Sequence, residues 1–464
     1  MAVKRRALAE RRRAVGHTQE KLAALLGVER STVVRWEAGD TEPQPWCRPK
    51  LAKALAVSID QLQKLLTHLE DLPAQPNDII LPSSEECSPM EIGALMERFS
   101  AMDISSRRAI LQELTIMSGA VLLQPVHRWL AQELAVVPLV SPSESVGNDA
   151  LNALERAVTL FRRWDFSGVG GLRRKAVVGQ LNAVAETLHE PHSPAVSRRL
   201  FHVTAELAQL TGMMASDQGL PGVAQRYYLL ALSACQEARA PLFAAKILGD
   251  MARLSQQHSH YEDSLDLIRT ALYIVPRRDS ALVRTQLLGV ESAVDALLGN
   301  QAAATRAAGA CLEAWQDAHG AVAPDWQSYM NQAQADSLAA DAYIVLALRA
   351  EDGGRAVAYA ERAERHVLNA RESRPQGFDR SRVLDEIRLA EVRLAQRDLG
   401  ESMTVAQAAL DLAAPMSSTT VGRSLLRFHG ELTVRYPDNV HIIPLRERIH
   451  EYVKQVAPQK ERDV

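Results

Sequence analysis

Apolar residues recur at three- and four-residue spacing along nearly the whole chain, and no stretch alternates apolar with polar as a half-buried strand would. The pattern predicts an all-α protein, with a short N-terminal group of helices followed by a long series of helical hairpins. In the first group, Thr18 to Leu26 carries Leu22, Ala23, Leu25 and Leu26 on one face, and Glu29 to Ala38 carries Val33, Val34 and Trp36. Gly27 lies between them, where a sharp turn needs a residue that takes positive φ without a Cβ penalty. Arg48 and Lys50 open a fourth helix that runs through Ala56, and Ser58 caps a fifth containing Ile59, Leu62, Leu65 and Leu66. With a helix before Thr18, five helices account for residues 1–67.

Pro73, Pro76, Pro82 and Pro89, set among acids and serines, mark residues 68–90 as a linker. Residues 91–149 suggest a helical connector anchored by Trp129 and Leu130, with a Ser- and Pro-rich surface loop at 139–147. Within the connector, Ser105 to Leu123 has an apolar run interrupted by Glu113 and is expected to be a buried amphipathic helix. From 150 to 457, turns centred on Gly219, Ser259, Gly299, Gly353 and Gly400 are spaced 40, 40, 54 and 47 residues apart. An amphipathic helix with small residues near its start follows each turn. The period exceeds the roughly 34 residues of the tetratricopeptide pattern, so the prediction is a degenerate, tetratricopeptide-like α-solenoid.

Such an array leaves a concave groove lined by the first helix of every pair. Ala244, Ile247, Leu248, Met251 and Leu254 form an apolar stripe, which puts Lys246, Asp250, Arg253 and Gln257 on the other side of the helix. His202, Glu206 and Gln209 occupy the same place on the preceding first helix, and Asn331, Gln334 and Asp341 on a later one. These residues are the candidate effector groove. Their mixed polarity suits a peptide backbone or a small polar molecule.

Charge sharpens the division. The chain has a formal charge of only -3, yet residues 1–66 hold 13 Lys and Arg against 7 Asp and Glu, leaving 40 against 49 for the rest. A basic head on an acidic body suits a nucleic-acid reader joined to a second function. Cys47, Cys87, Cys235 and Cys311 are far apart with no CxxC spacing, as in reduced cytoplasmic proteins without a disulfide frame or zinc site. The charged N-terminus does not read as a signal peptide, and no uncharged apolar run is long enough for a membrane span. No Walker loop, dinucleotide fingerprint, HExxH or nucleophile elbow occurs, so neither catalysis nor a cofactor is expected. His189 with His192, and His258 with His260, come nearest to metal-ligand spacing, but no further ligands cluster around them. No metal is expected.

The segment Thr18 to Gly39 has the layout of a helix-turn-helix, whose second helix lies in the DNA major groove. With Val33 and Trp36 turned inward, Arg30, Ser31, Thr32 and Arg35 are the candidate DNA contacts. Arginine can offer a bidentate fork to guanine, and a hydroxyl can bond to a base edge or phosphate. Gln19, at the start of the first helix of the motif, is a candidate for a backbone phosphate, as are Arg48 and Lys50. Glu29 departs from the usual Ser or Thr cap and would repel phosphate.

Arg12, Thr18-Gln19, Leu22-Ala23, Gly27-Val28, Val33 and Trp36-Glu37-Ala38-Gly39 resemble the DNA-binding domain of the Cro and phage-repressor group, also called the xenobiotic-response-element (XRE) family. The resemblance implies a buried ion pair between Arg12 and Glu37. Joined to a tetratricopeptide-like array, such a head looks like the peptide-sensing regulators grouped with Rap, Rgg, NprR, PlcR and PrgX. The phrases RWEAGDTEPQPW, AELAQLTGMMASDQGLPGVAQRYYLLAL and PDWQSYM are similar to actinobacterial regulators. The resemblance implies a transcriptional regulator that binds double-stranded operator DNA, forms a homodimer and senses an effector through its repeats. The alternative is an interaction hub whose array docks another regulatory protein.

Overall fold

The computed structural model describes residues 8, 11, 12, 15, 17–38, 43, 47–55, 57, 62, 89–104, 114–133, 148–166, 172–275, 280–318 and 320–456. Two compact units divide the chain, Met1–Ile79 and Ile80–Val464. All regular structure among the described residues is helical. The fifth helix expected after Ser58, the linker up to residue 88 and the 139–147 loop lie outside those residues, apart from a buried Leu62.

In the first unit, α1 spans Gln19–Leu26, α2 Arg30–Ala38 and α3 Arg48–Ala54. The Thr18 side chain caps α1 by accepting from Lys21 N–H, and Gly27 ends the helix at φ 69°. There the Gly27 N–H reaches back to the carbonyls of Ala23 and Ala24, and the chain turns directly into α2. Leu8, Leu22, Ala23, Leu26, Val33, Trp36, Cys47, Leu51, Ala52, Leu55 and Leu62 form the core. Two apolar positions fall outside it: Leu25 is 56% and Val34 38% exposed. At about 100° per residue, the face shared by Leu22, Ala23 and Leu26 leaves Leu25 well to one side, and Val33 and Trp36 do the same to Val34. The expected fourth helix stops at Ala54, two residues short.

The second unit is built of helix pairs. Its first helices are α8 (Pro194–Asp217), α10 (Pro241–Gln257), α12 (Ala281–Leu297), α14 (Gln332–Arg349), α16 (Asp379–Ala395) and α18 (Thr419–Arg435). Their partners are α9 (Pro221–Ala238), α11 (Tyr261–Ile274), α13 (Gln301–Asp317), α15 (Gly353–Ser373), α17 (Leu399–Ala413) and α19 (Ile443–Val456). Each pair packs on itself, and each first helix also packs on the next first helix. Gly219 and Gly299 make their turns at φ 72° and 82°. The last two expected turn centres are displaced: Gly353 and Gly400 already lie in helix, behind the caps Asp352 and Asp398. The left-handed residue of the final turn is Arg397 at φ 66°.

The array curves until its ends meet, with α8 packing against α18. Asp217, at the end of α8, is the clasp. Its carboxylate accepts from Ser418 Oγ at 2.6 Å and from Arg380 Nη1 at 3.1 Å, and its backbone carbonyl accepts from Thr419 Oγ1 at 2.9 Å.

The expected connector is packed into this unit. Its helices are α4 (Pro89–Ile104), α5 (Ala120–Glu133), α6 (Asn148–Phe166) and α7 (Leu172–Thr187), and α4 begins at Pro89, inside the expected linker. α4 lies on α7 and α9, and α5 on α9 and α11. Asp103 on α4 receives a bidentate pair from Arg174 on α7 and a hydrogen bond from Tyr227 Oη at 2.9 Å. The helix expected over Ser105 to Leu123 is not continuous: residues 114–118 are non-helical, and α5 starts only after Gly119, at φ 57°. Met117 N–H donates to Gln225 Oε1 at 2.6 Å and its carbonyl accepts from Gln225 Nε2 at 2.9 Å, so one buried glutamine stands in for a neighbouring strand. The strap passes over Gly222, where a Cβ would meet the Leu114 carbonyl oxygen at 2.2 Å. That contact replaces helix formation here, because the strap's polar backbone finds its partners on α9.

Among the described residues, no helix is long and apolar enough to cross a membrane.

Candidate DNA interface and effector cavity

The first candidate site is the outer face of α2. Val33 and Trp36 are buried at 1% and 4% exposure, which turns Arg30, Ser31 and Arg35 outward, with Thr32 half-buried beside them. Arg30 pairs with Glu20 of α1 at 2.6 Å, both side chains well exposed. Ser31 Oγ donates to Glu29 at 3.2 Å. Arg35 forms no hydrogen bond or ion pair among the described residues. Among the candidate contacts it therefore has least to break before it could meet a base or phosphate.

Three further candidates are placed differently. Gln19 Nε2 donates to Glu37 Oε2 at 2.7 Å. The physical reason is the buried Glu37 carboxylate, which collects donors; Arg12 Nε reaches Oε1 at 2.6 Å and Arg12 Nη2 reaches Oε2 at 3.3 Å. Arg12 Nη1 also donates to the His17 carbonyl at 2.7 Å, so one guanidinium ties the first helix to α2 and to the start of α1. Arg48 Nε donates to the Pro43 carbonyl at 3.0 Å. Lys50 is exposed.

The second site is inside the array. The candidate groove residues separate into two sets. Lys246, Asp250, Arg253, Gln257 and Gln334 line one cavity of about 200 Å³ together with Tyr329 and Arg388. Lys246 is nevertheless only 1% exposed, with its ammonium on Asp250 at 2.5 Å. An adjoining cavity of about 420 Å³ shares Arg253, Gln257, Leu384, Arg388 and Thr420 with it and adds Asp341, which Arg388 grips in a bidentate pair at 2.7 and 3.1 Å.

His202, Glu206, Gln209 and Asn331 do not line these cavities. Arg162 of α6 lies across the α8 residues, donating to Glu206 at 2.7 Å and to Gln209 at 3.2 Å. His202 pairs with Glu206 at 3.1 Å and stacks on Phe243, which in turn meets Trp326 at a ring separation of 5.1 Å. Burial works to raise the Glu206 carboxyl, but His202 and Arg162 outweigh it and hold the group below its usual range. Asn331 caps α14 by accepting from Gln334 N–H. Helical spacing does not reveal this cover, because α6 and the 320–331 loop come from distant parts of the chain. The loop was legible only as the phrase PDWQSYM; its Tyr329 hydroxyl bonds to Gln286 of α12 and closes one wall of the smaller cavity.

Three of the four histidines with metal-like spacing have other partners. His189 Nε2 meets Glu97 at 2.9 Å, and His192 Nε2 meets the Thr187 carbonyl at 2.7 Å. His258 Nε2 faces Arg423 Nη1 at 3.1 Å across the closure of the array. Burial, then the charges of Arg423 and His260, push its pKa down to about 4. A histidine depressed in the folded state stays neutral while its unfolded counterpart takes up a proton. Stability is thus full above about pH 6.5 and is lost as pH falls toward about 4. His258→Gln is expected to melt with a smaller loss between those pH values than the parent protein. Parallel thermal melts across the window check this, and equal pH dependence in the two proteins would contradict the assignment.

Residues 8–62 match the helix-turn-helix family. The match covers the first unit's core and supports a DNA-binding transcription regulator of the XRE type. No curated protein matches the chain.

Proposed function

We propose that this protein reads an operator through α2 as a homodimer and changes its affinity for that operator when an effector occupies the cavities of the helical array. It acts by binding, without a catalytic step. The observation that carries the DNA half is the outward face of α2, with Arg30, Ser31 and Arg35 exposed from a helix whose other side is fixed by Val33 and Trp36. The sensing half is supported by the joined cavities, which lie where consecutive first helices converge. Dimerisation is supported by the general preference of soluble oligomers for twofold symmetry.

Selection of the full-length protein on a random duplex library at fixed, near-physiological salt tests the reading, since salt alone can mimic specific binding through the phosphate contribution. An inverted repeat among the retained sequences is the expected result; absence of any enriched motif would remove the operator-reading role. On the selected site, Arg35→Ala is expected to lose about 1 to 3 kcal/mol and to relax one base position. Fluorescence anisotropy on matched and mismatched duplexes measures both effects. An unchanged affinity and base preference would take Arg35 out of the interface.

A further inference from the structure

Most charges on the cavity walls cancel in pairs. Lys246 with Asp250, Arg388 with Asp341, Arg427 with Glu391 and Arg380 with Asp217 meet at 2.5 to 3.1 Å. Three guanidiniums do not follow this pattern, and one of them, Arg349, is exposed and donates to the Leu297 carbonyl. Arg253 lines both cavities and forms no hydrogen bond or ion pair among the described residues. Arg423 lines the larger one; its Nη1 faces His258 Nε2 at 3.1 Å, its Nη2 reaches Thr420 Oγ1 at 3.4 Å, and its Nε is buried with no partner. Neither histidine nor threonine there supplies a negative charge, and Asp217, the acid acting on Arg423 from further away, is already held by Arg380 and Ser418. An arginine cannot shed its proton to relieve the mismatch.

The rest of the larger cavity is apolar on one side, where Leu297, Ile344, Val345, Leu348 and Leu384 line it. Its volume of about 420 Å³ lies in the range of small-molecule sites. We propose that this cavity binds an anionic amphiphile, with a carboxylate head between Arg253 and Arg423 and an apolar tail along Ile344, Val345 and Leu348. The proposal rests on reading the array as the effector-binding part of a regulator, and it names the class of effector. Such a carboxylate can belong to a fatty acid or to the C-terminus of an apolar peptide. A guanidinium gives either one charge-assisted, bidentate hydrogen bonds, which an uncharged amide cannot match.

Isothermal titration of the full-length protein with octanoate and with octanamide tests the head group, and an apolar tetrapeptide as free acid and as C-terminal amide tests the source. Octanoate or the free-acid peptide is expected to bind at least about tenfold more tightly than its amide, with the stronger of the two acids identifying the source. Arg253→Gln and Arg423→Gln are each expected to lower that affinity by a similar factor. Arg423→Lys, which keeps the charge, is expected to retain more of it, and Arg306→Gln, on an exposed face of α13, to leave it unchanged. Thermal melts of each variant separate loss of binding from loss of fold. Equal binding of acid and amide, unchanged affinity in both glutamine variants, or binding of neither acid would overturn the proposal. Operator affinity with and without octanoate is a separate readout. Octanoate binding that leaves operator affinity unaltered upholds the anion site and removes its regulatory meaning, whereas an operator response to octanamide equal to that to octanoate keeps the sensor and rejects the anion.

Discussion

Glu37→Ala is expected to unfold the first unit at 25 °C while the second unit keeps its structure. The carboxylate removed is 9% exposed and takes two hydrogen bonds from Arg12 and one from Gln19. Its loss leaves the Arg12 guanidinium, 6% exposed, with the His17 carbonyl as its remaining hydrogen-bond partner among the described residues. Breaking a buried pair from one side costs about 3 to 5 kcal/mol. A core as small as that of this unit rarely supplies more than about the same amount, so the deficit takes up the whole margin. Hydrogen-exchange mass spectrometry should find Gln19–Ala38 unprotected in the variant and α8 to α18 as protected as before, and operator binding should fall to the non-specific level. The double variant Arg12→Met, Glu37→Leu is expected to recover the fold, because an apolar pair of similar volume avoids the desolvation cost of both charges. Full protection of α1 and α2 in Glu37→Ala would show that the pair contributes little.

Asp103→Ala is expected to have a comparable effect on the second unit, by a different route. Arg174 and Tyr227 are 2% and 0% exposed, and Asp103 is the acceptor they share. Arg174 Nε already lacks a partner, so the guanidinium has no slack with which to absorb a further loss. The cost is again about 3 to 5 kcal/mol, and it falls on the junction of α4, α7 and α9 rather than on the array as a whole. Urea melts followed by circular dichroism should show a lower midpoint, and hydrogen exchange should place the early loss in α4 and α7. Uniform loss across α8 to α18 would mean that α4 is part of one cooperative block.

How far the chain could be read in advance follows from which interactions are local. The turn at Gly27, the inward Val33 and Trp36 and the second helix of each pair depend on spacing within about ten residues, and the helical periodicity carries them directly. Leu25 and Val34 show the limit of that resolution, since a run of neighbouring apolar residues does not say where the buried arc ends. Gly353 and Gly400 show another. A glycine between two helical patterns reads as the turn, yet Asp352 and Asp398 cap the next helix one or two residues earlier and draw the glycine into its first turn. Long-range partners were out of reach. Gln19 reads as a phosphate ligand until Glu37 is seen beneath it, and His202, Glu206 and Gln209 read as open groove until α6 is laid across them. The strap at 114–118 is the sharpest case: its composition is that of a helix, and only Gln225 and Gly222, more than a hundred residues later, explain why it is extended.

The clasp at Asp217 changes what kind of object the array is. An ordinary stack of helix pairs is a line with two loose ends, and it frays from them because each terminal pair has a neighbour on one side only. Here α18 returns to α8, so the row of first helices closes on itself, with its seam at Asp217 and at the His258–Arg423 contact. Thermal motion cannot peel such a loop from an edge; it must first open the seam, which sets free Ser418, Thr419 and Arg380 together. Thr420 and Arg423, on the α18 side of the seam, also border the larger cavity, so opening the seam moves part of that cavity's wall.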